Sequence, residues 1–101
     1  MRHPTPYLDP TAPRIIRQEL GLNQIQFWSQ VGVTQSGGSR YENGRKMPKP
    51  VGELFRLVHV EHVDIHRIKR EDFEVLEYLK QNEPEHFKDL KRAARRMRKA
   101  A

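Results

Sequence analysis

The sequence predicts an all-α protein. Apolar residues recur at spacings of three and four along most of the chain, and nowhere do they alternate with polar residues for more than a few positions. Helix starts and stops punctuate the same stretch: Asn23 and Thr34 are capping residues, and Gly21, Gly32 and Asn43-Gly44 are stops. With 101 residues there is room for one small domain and a tail.

The first ten residues, MRHPTPYLDP, hold three prolines and no apolar period, so residues 1–10 read as a flexible arm. A first helix is predicted from about Thr11 to Leu20, with Pro13 in its first turn and Ile15, Ile16 and Leu20 inward. The second follows Asn23 and carries Ile25, Phe27, Trp28 and Val31. The third, capped by Thr34, runs to about Glu42. RKMPKP is a basic connector, after which Pro50 opens a fourth helix with Val51, Leu54, Phe55, Leu57 and Val58 as its apolar face. A less regular stretch over residues 60–70 leads to a fifth helix near Glu71–Gln81, bearing Phe73, Val75, Leu76 and Leu79. Pro84 sits in the first turn of a last helix reaching toward Lys99. The expected organisation is therefore an arm over 1–10, a helical domain over 11–60 and a helical extension over 61–101.

Composition narrows the function. There is no cysteine, so neither a disulfide framework nor a cysteine-bearing zinc site can form. No apolar run approaches a membrane span, and the N-terminus lacks the apolar region of a signal peptide, which points to a soluble cytoplasmic protein. Residues 1–60 hold 8 Lys and Arg against 4 carboxylates, residues 61–87 hold 4 against 8, and residues 88–101 hold 7 against 1. That basic balance, +6 overall, suggests a polyanionic partner, most simply nucleic acid. No glycine-rich phosphate loop is present, and the serines lack a base with an orienting acid, so no enzyme and no cofactor is expected. His59, His62 and His66, interleaved with Glu61 and Asp64, have a metal-like spacing. Zinc needs converging ligands of fixed geometry, so these residues are read as the polar surface of a helix end and loop, with no metal.

Two short helices joined by a glycine turn, the second opening on a capping threonine, form a helix-turn-helix. Here Gly21-Leu22-Asn23-Gln24, Gly32-Val33-Thr34-Gln35-Ser36, Ser39-Arg40-Tyr41-Glu42-Asn43-Gly44 and Arg45 to Pro48 follow in sequence. This run resembles the Cro/repressor-like (XRE) helix-turn-helix family over roughly residues 13–60. The resemblance implies a phage-repressor-like bundle of four to five helices, to which a basic C-terminal helix is added. It also implies that the third helix lies in the major groove of double-stranded DNA. By position, Gln35, Ser36, Ser39 and Arg40 become the base-reading candidates; glutamine matches adenine, and arginine forks onto guanine. Phosphate contacts are expected from helix N-termini at Gln24 and Thr34, and from Asn43, Arg45, Lys46 and Lys49. The family's pairing of a first-helix arginine with a late third-helix glutamate falls on Arg17 and Glu42, a structural pair.

The sequence departs from the family outline at two positions. Trp28 stands where the family has a small residue, and Gly38 stands where it has Ile or Val. The helix-interior pair Gly37-Gly38 costs roughly 2 kcal/mol relative to alanine. Burying a tryptophan removes about 150–250 Å², worth on the order of 4–6 kcal/mol. Gly38 is therefore read as the slot for the Trp28 indole, while Gly37 is placed toward DNA.

In the last helix Phe87, Leu90, Ala94 and Met97 form a narrow apolar stripe among Lys and Arg. A dimer contact, a packing helix with a solvated face, and a DNA- or partner-binding tail all fit this pattern. The resemblance implies a sequence-specific transcriptional regulator, expected to be a repressor binding an inverted repeat as a homodimer. Two other readings are an antitoxin that binds a toxin and autoregulates its operon, and a basic protein that binds RNA electrostatically.

Overall fold

Each helix in the first half of the chain ends at a local device encoded in its own sequence. In the computed structural model, which describes residues 12–100, there are six α-helices and, among the described residues, no strand. They are α1 (Ala12–Glu19), α2 (Gln24–Ser29), α3 (Gln35–Glu42), α4 (Lys49–Phe55), α5 (Arg70–Asn82) and α6 (Pro84–Ala100). The arm expected over 1–10, and Thr11, lie outside the described residues. A reciprocal capping box opens α2: Gln26 N–H donates to Asn23 Oδ1 at 2.8 Å, and Asn23 N–H to Gln26 Oε1 at 3.0 Å. Gly32, at φ 73°, turns the chain in the left-handed region between α2 and α3. Thr34 then caps α3 by accepting from the Gly37 N–H at 3.2 Å.

The chain divides between Ile65 and His66 into two compact units. In the first, Phe27, Trp28, Val31, Met47 and Phe55 form the buried core. Ile16, Leu22, Val33, Tyr41, Val51, Val58 and Val60 pack around it. The aromatic contacts are oblique, as ring quadrupoles favour: Phe27 meets Trp28 edge-on at 5.3 Å and Phe55 at 5.7 Å between centroids.

Two residues expected to point inward, Ile15 and Leu20, do not, and Ile25, an apolar position of the second helix, is exposed as well. Ile15 is 52% exposed and Ile25 is 59% exposed, and Leu20 also faces solvent. In α1 the inward stripe is Pro13, Ile16 and Arg17, which leaves Ile15 off the buried face. Leu20 falls past the helix end, where the chain turns away. In α2 the buried pair Phe27-Trp28 turns Ile25 to the other side. Leu54, assigned to the apolar face of the fourth helix, sits at its exposed edge, while Phe55 is fully buried.

After Phe55 the helix widens into a π turn, Arg56–Val60. Its signature is the Glu61 N–H, which donates to the Arg56 carbonyl five residues back at 2.8 Å. His62, at φ 57°, ends the turn in the left-handed region. The π turn carries His59 inward, which corrects its assignment to a polar surface: it is 3% exposed. Its ring stacks on Phe27 with centroids 3.8 Å apart, and Nε2 lies 3.1 Å from the Phe27 carbonyl. A carbonyl only accepts, so Nε2 carries the proton.

In the second unit α5 and α6 follow one another with only Glu83 between them. Leu76, Leu79 and Phe87 are half-buried, and neither helix contains a fully buried residue. Phe73, Val75, Tyr78, Leu90 and Met97 are exposed, Met97 to 74%. Lys80 and Lys91 lie over the Phe87 ring at 5.6 and 5.1 Å.

Candidate nucleic-acid interface

The N-terminal half of α3 presents polar side chains while its other face is locked into the core. Gln35, Ser36 and Arg40 are exposed, Ser39 and Tyr41 are half-buried, and Gly38 and Glu42 are buried. Gly38, Tyr41 and Glu42 follow i, i+3, i+4 spacing, so one stripe anchors the helix and leaves Gln35, Ser36 and Arg40 outside. Ser39 is partly engaged, since Asn43 Nδ2 donates to its hydroxyl at 3.4 Å as well as to its backbone carbonyl at 2.7 Å.

Gly38 lies against the indole: a Cβ built on it would overlap Trp28 Cγ and Cδ1. No side chain larger than hydrogen fits there while Trp28 keeps its place. Gly37 is half-buried near the start of α3. The space its side chain would take is bounded by Val33 Cγ1 at 3.2 Å and the capping Thr34 Oγ1 at 3.3 Å, both within the protein.

Glu42 is the hub that orients the helix. Its carboxylate accepts from Arg17 Nε at 3.0 Å and Arg17 Nη2 at 2.9 Å, a two-pronged ion pair. The Trp28 indole N–H adds a third bond at 2.8 Å, and Gln24 donates from its side chain. Burial alone raises the pKa of this carboxyl, but the bonds from Arg17, Trp28 and Gln24 and the Arg17 charge more than offset it. The net shift is downward from the ordinary 4.5, so Glu42 is ionised at neutral pH. Three elements, α1, α2 and α3, are thereby tied through one carboxylate.

The residues assigned to phosphate fall into two groups. Gln24, Thr34 and Asn43 have side chains committed inside the protein: to Glu42, to the α3 cap, and to Ser39 and Arg14 respectively. Arg45, Lys46 and Lys49 are exposed and form no ion pair among the described residues. Arg45 and Lys46 lie in the connector after α3, and Lys49 opens α4.

Residues 14–58 match the family described as the RsaL-like HTH domain. This region is a helix-turn-helix DNA-binding domain. Comparison with curated proteins and with solved structures returned no match. The helix-turn-helix domain spans α1 to α4 and enters the π turn, so α5 and α6 lie beyond it. Sequence reasoning missed two residues of the domain's support. Arg14 bonds Asn43 Oδ1 at 2.8 Å and approaches Glu42 at 3.6 Å. Its only sequence signal is that it precedes Arg17 by one helical turn. His59 was missed because its histidine neighbours at 62 and 66 suggested a surface. Among the described residues no group of His and acidic side chains is placed to hold a metal ion. Among the same residues no helix is long and apolar enough to cross a membrane.

Proposed function

We propose that the chain is a sequence-specific transcriptional repressor of the Cro/repressor-like (XRE) kind, acting as a homodimer on an inverted-repeat operator. The observation that carries this reading is the asymmetry of α3. Gln35, Ser36 and Arg40 stand free on one side while Gly38 and Glu42 clamp the other to α1 and α2. A reading surface needs that combination, because base discrimination requires side chains held in register by a rigid support. In this reading Gln35, Ser36, Ser39 and Arg40 contact base edges. Arg45, Lys46 and Lys49 contact phosphate, with the backbone at Gln24, Thr34 and Asn43 helping to set the register.

Selection of bound sequences from a random DNA pool at controlled salt tests the proposal. The expected product is an inverted repeat with half-sites about one helical turn, ~34 Å, apart. Gln35→Ala and Arg40→Ala should each cost about 1–3 kcal/mol and relax preference at one base position. Equal affinity for all pool sequences would remove the reading in favour of electrostatic nucleic-acid binding.

The exposed apolar residues of α5 and α6 favour a protein partner for the extension. A second copy of the chain is the partner in the repressor reading. If the chain is monomeric in solution and captures the product of an adjacent gene, the antitoxin reading replaces it.

A further inference from the structure

The most strongly charged feature of the molecule lies outside the helix-turn-helix domain. Between Lys88 and Lys99, α6 carries seven Lys and Arg and a single carboxylate, Asp89. At ~100° per residue the cations fall within an arc of roughly 160°, and Leu90, Ala93, Ala94 and Met97 occupy the opposite side. Within that arc, like charges stand one turn apart at Lys88/Arg92, Arg92/Arg96 and Arg95/Lys99, an arrangement that disfavours an isolated helix.

Local pairing relieves little of this. Lys88 reaches Glu85 at 3.3 Å and Arg92 reaches Asp89 at 2.9 Å. Arg95, Arg96, Arg98 and Lys99 have no carboxylate within ion-pair reach among the described residues. The helix dipole accounts for favourable cations in the last turn, where Arg98 and Lys99 lie, but not for Arg95 and Arg96 further back. The folded chain gains nothing from this surplus of repulsion, and a polyanion would remove it.

We propose that the basic face of α6 is a second DNA contact, sequence-independent, which lies along the phosphate backbone while α3 reads bases. The charge surplus points to a polyphosphate, and two observations favour duplex DNA over an anionic membrane. The apolar side of α6 is thin, two alanines with Leu90 and Met97, and Phe87 is already covered by two lysines. The same chain also carries a helix-turn-helix domain, so docking of that domain raises the local concentration of phosphates around α6. Because the cations and the apolar stripe face opposite ways, self-association through the stripe leaves the basic face free.

The proposal rests on the chain binding duplex DNA, and salt dependence separates the two contributions. Binding of the full chain to a fluorescein-labelled random-sequence duplex would be followed by anisotropy across a salt series. Arg95→Gln/Arg96→Gln/Arg98→Gln/Lys99→Gln should lower the slope of log K against log salt by roughly 3.6 if each cation neutralises one phosphate, at about 0.9 for each phosphate that is no longer neutralised. Arg95→Lys/Arg96→Lys/Arg98→Lys should keep the slope, and circular dichroism should show α6 intact in both variants. Gln35→Ala/Arg40→Ala, by contrast, should lose base preference while the contribution of α6 to the slope remains. An unchanged slope in the glutamine variant overturns the inference and leaves the α3 reading standing. Loss of binding to phosphatidylglycerol vesicles with the DNA slope unchanged overturns it in favour of a membrane contact.

Discussion

Trp28 occupies the volume a side chain at position 38 would need, and its indole N–H helps keep the buried Glu42 ionised. From this geometry Trp28→Ala should cost about 3–5 kcal/mol, and Gly38→Val about 1–3 kcal/mol or more through overlap with the indole. The double variant should recover part of the summed loss, because the valine enters vacated space; strictly additive losses in urea melts would contradict the packing account. Glu42→Gln should cost about 3–5 kcal/mol, since it strips the half-buried Arg17 of its charge partner. The exchange of large for small between Trp28 and Gly38 was legible in the sequence as paired departures from one outline. The bonds from the indole and from Gln24 to Glu42 were not, because they depend on ring and amide orientation, which spacing does not encode.

At the scale of elements, one imidazole carries the side-chain hydrogen bond between α2 and the π turn after α4. Helix α2 ends so soon that the Val31 N–H turns to the Trp28 carbonyl, and His59 supplies the donor for the Phe27 carbonyl instead. Burial lowers the His59 pKa from 6.5; its bond to Phe27 opposes that shift, and the neighbouring His62 adds to it. A base whose folded pKa is depressed takes up its proton more readily when unfolded, so stability falls as pH drops below about 6.5. Glu42, also depressed, adds a second loss that begins below about 4.5. Urea midpoints measured against pH should therefore decline in two stages, and His59→Phe should abolish the first while retaining the ring stack. Helix existence was legible here because caps and glycine stops are local. Which side of a helix is buried was not legible for α1 and α2, of eight and six residues, where a single turn of packing decides the outcome at Ile15 and Ile25. Nor does a 3.6-residue period foretell a π turn, and with it the burial of His59 was missed.

For the whole molecule the contrast lies between a first unit with an aromatic core and a second with none. A segment of a few tens of residues rarely sustains a fold without a staple or a partner, and α5 and α6 leave Phe73, Val75, Tyr78, Leu90 and Met97 in solvent. The proposed homodimer gives those residues a burial site and explains why two helices without a core are retained. Light scattering at micromolar concentration should then report a dimer. Leu90→Ser/Met97→Ser, which removes the apolar stripe without changing the charge of α6, should shift it to monomer without lowering the melting temperature of the helix-turn-helix domain, whose core contains neither residue. The functional consequence follows from two-site binding. A monomer retains one α3 and its affinity for a half-site, whereas a dimer engages both half-sites with an effective concentration set by its own geometry. The serine variant should thus bind an isolated half-site like the parent chain and lose its advantage on the full inverted repeat by about a hundredfold or more. Retention of that advantage by a monomeric variant would place the dimer contact elsewhere than on α6.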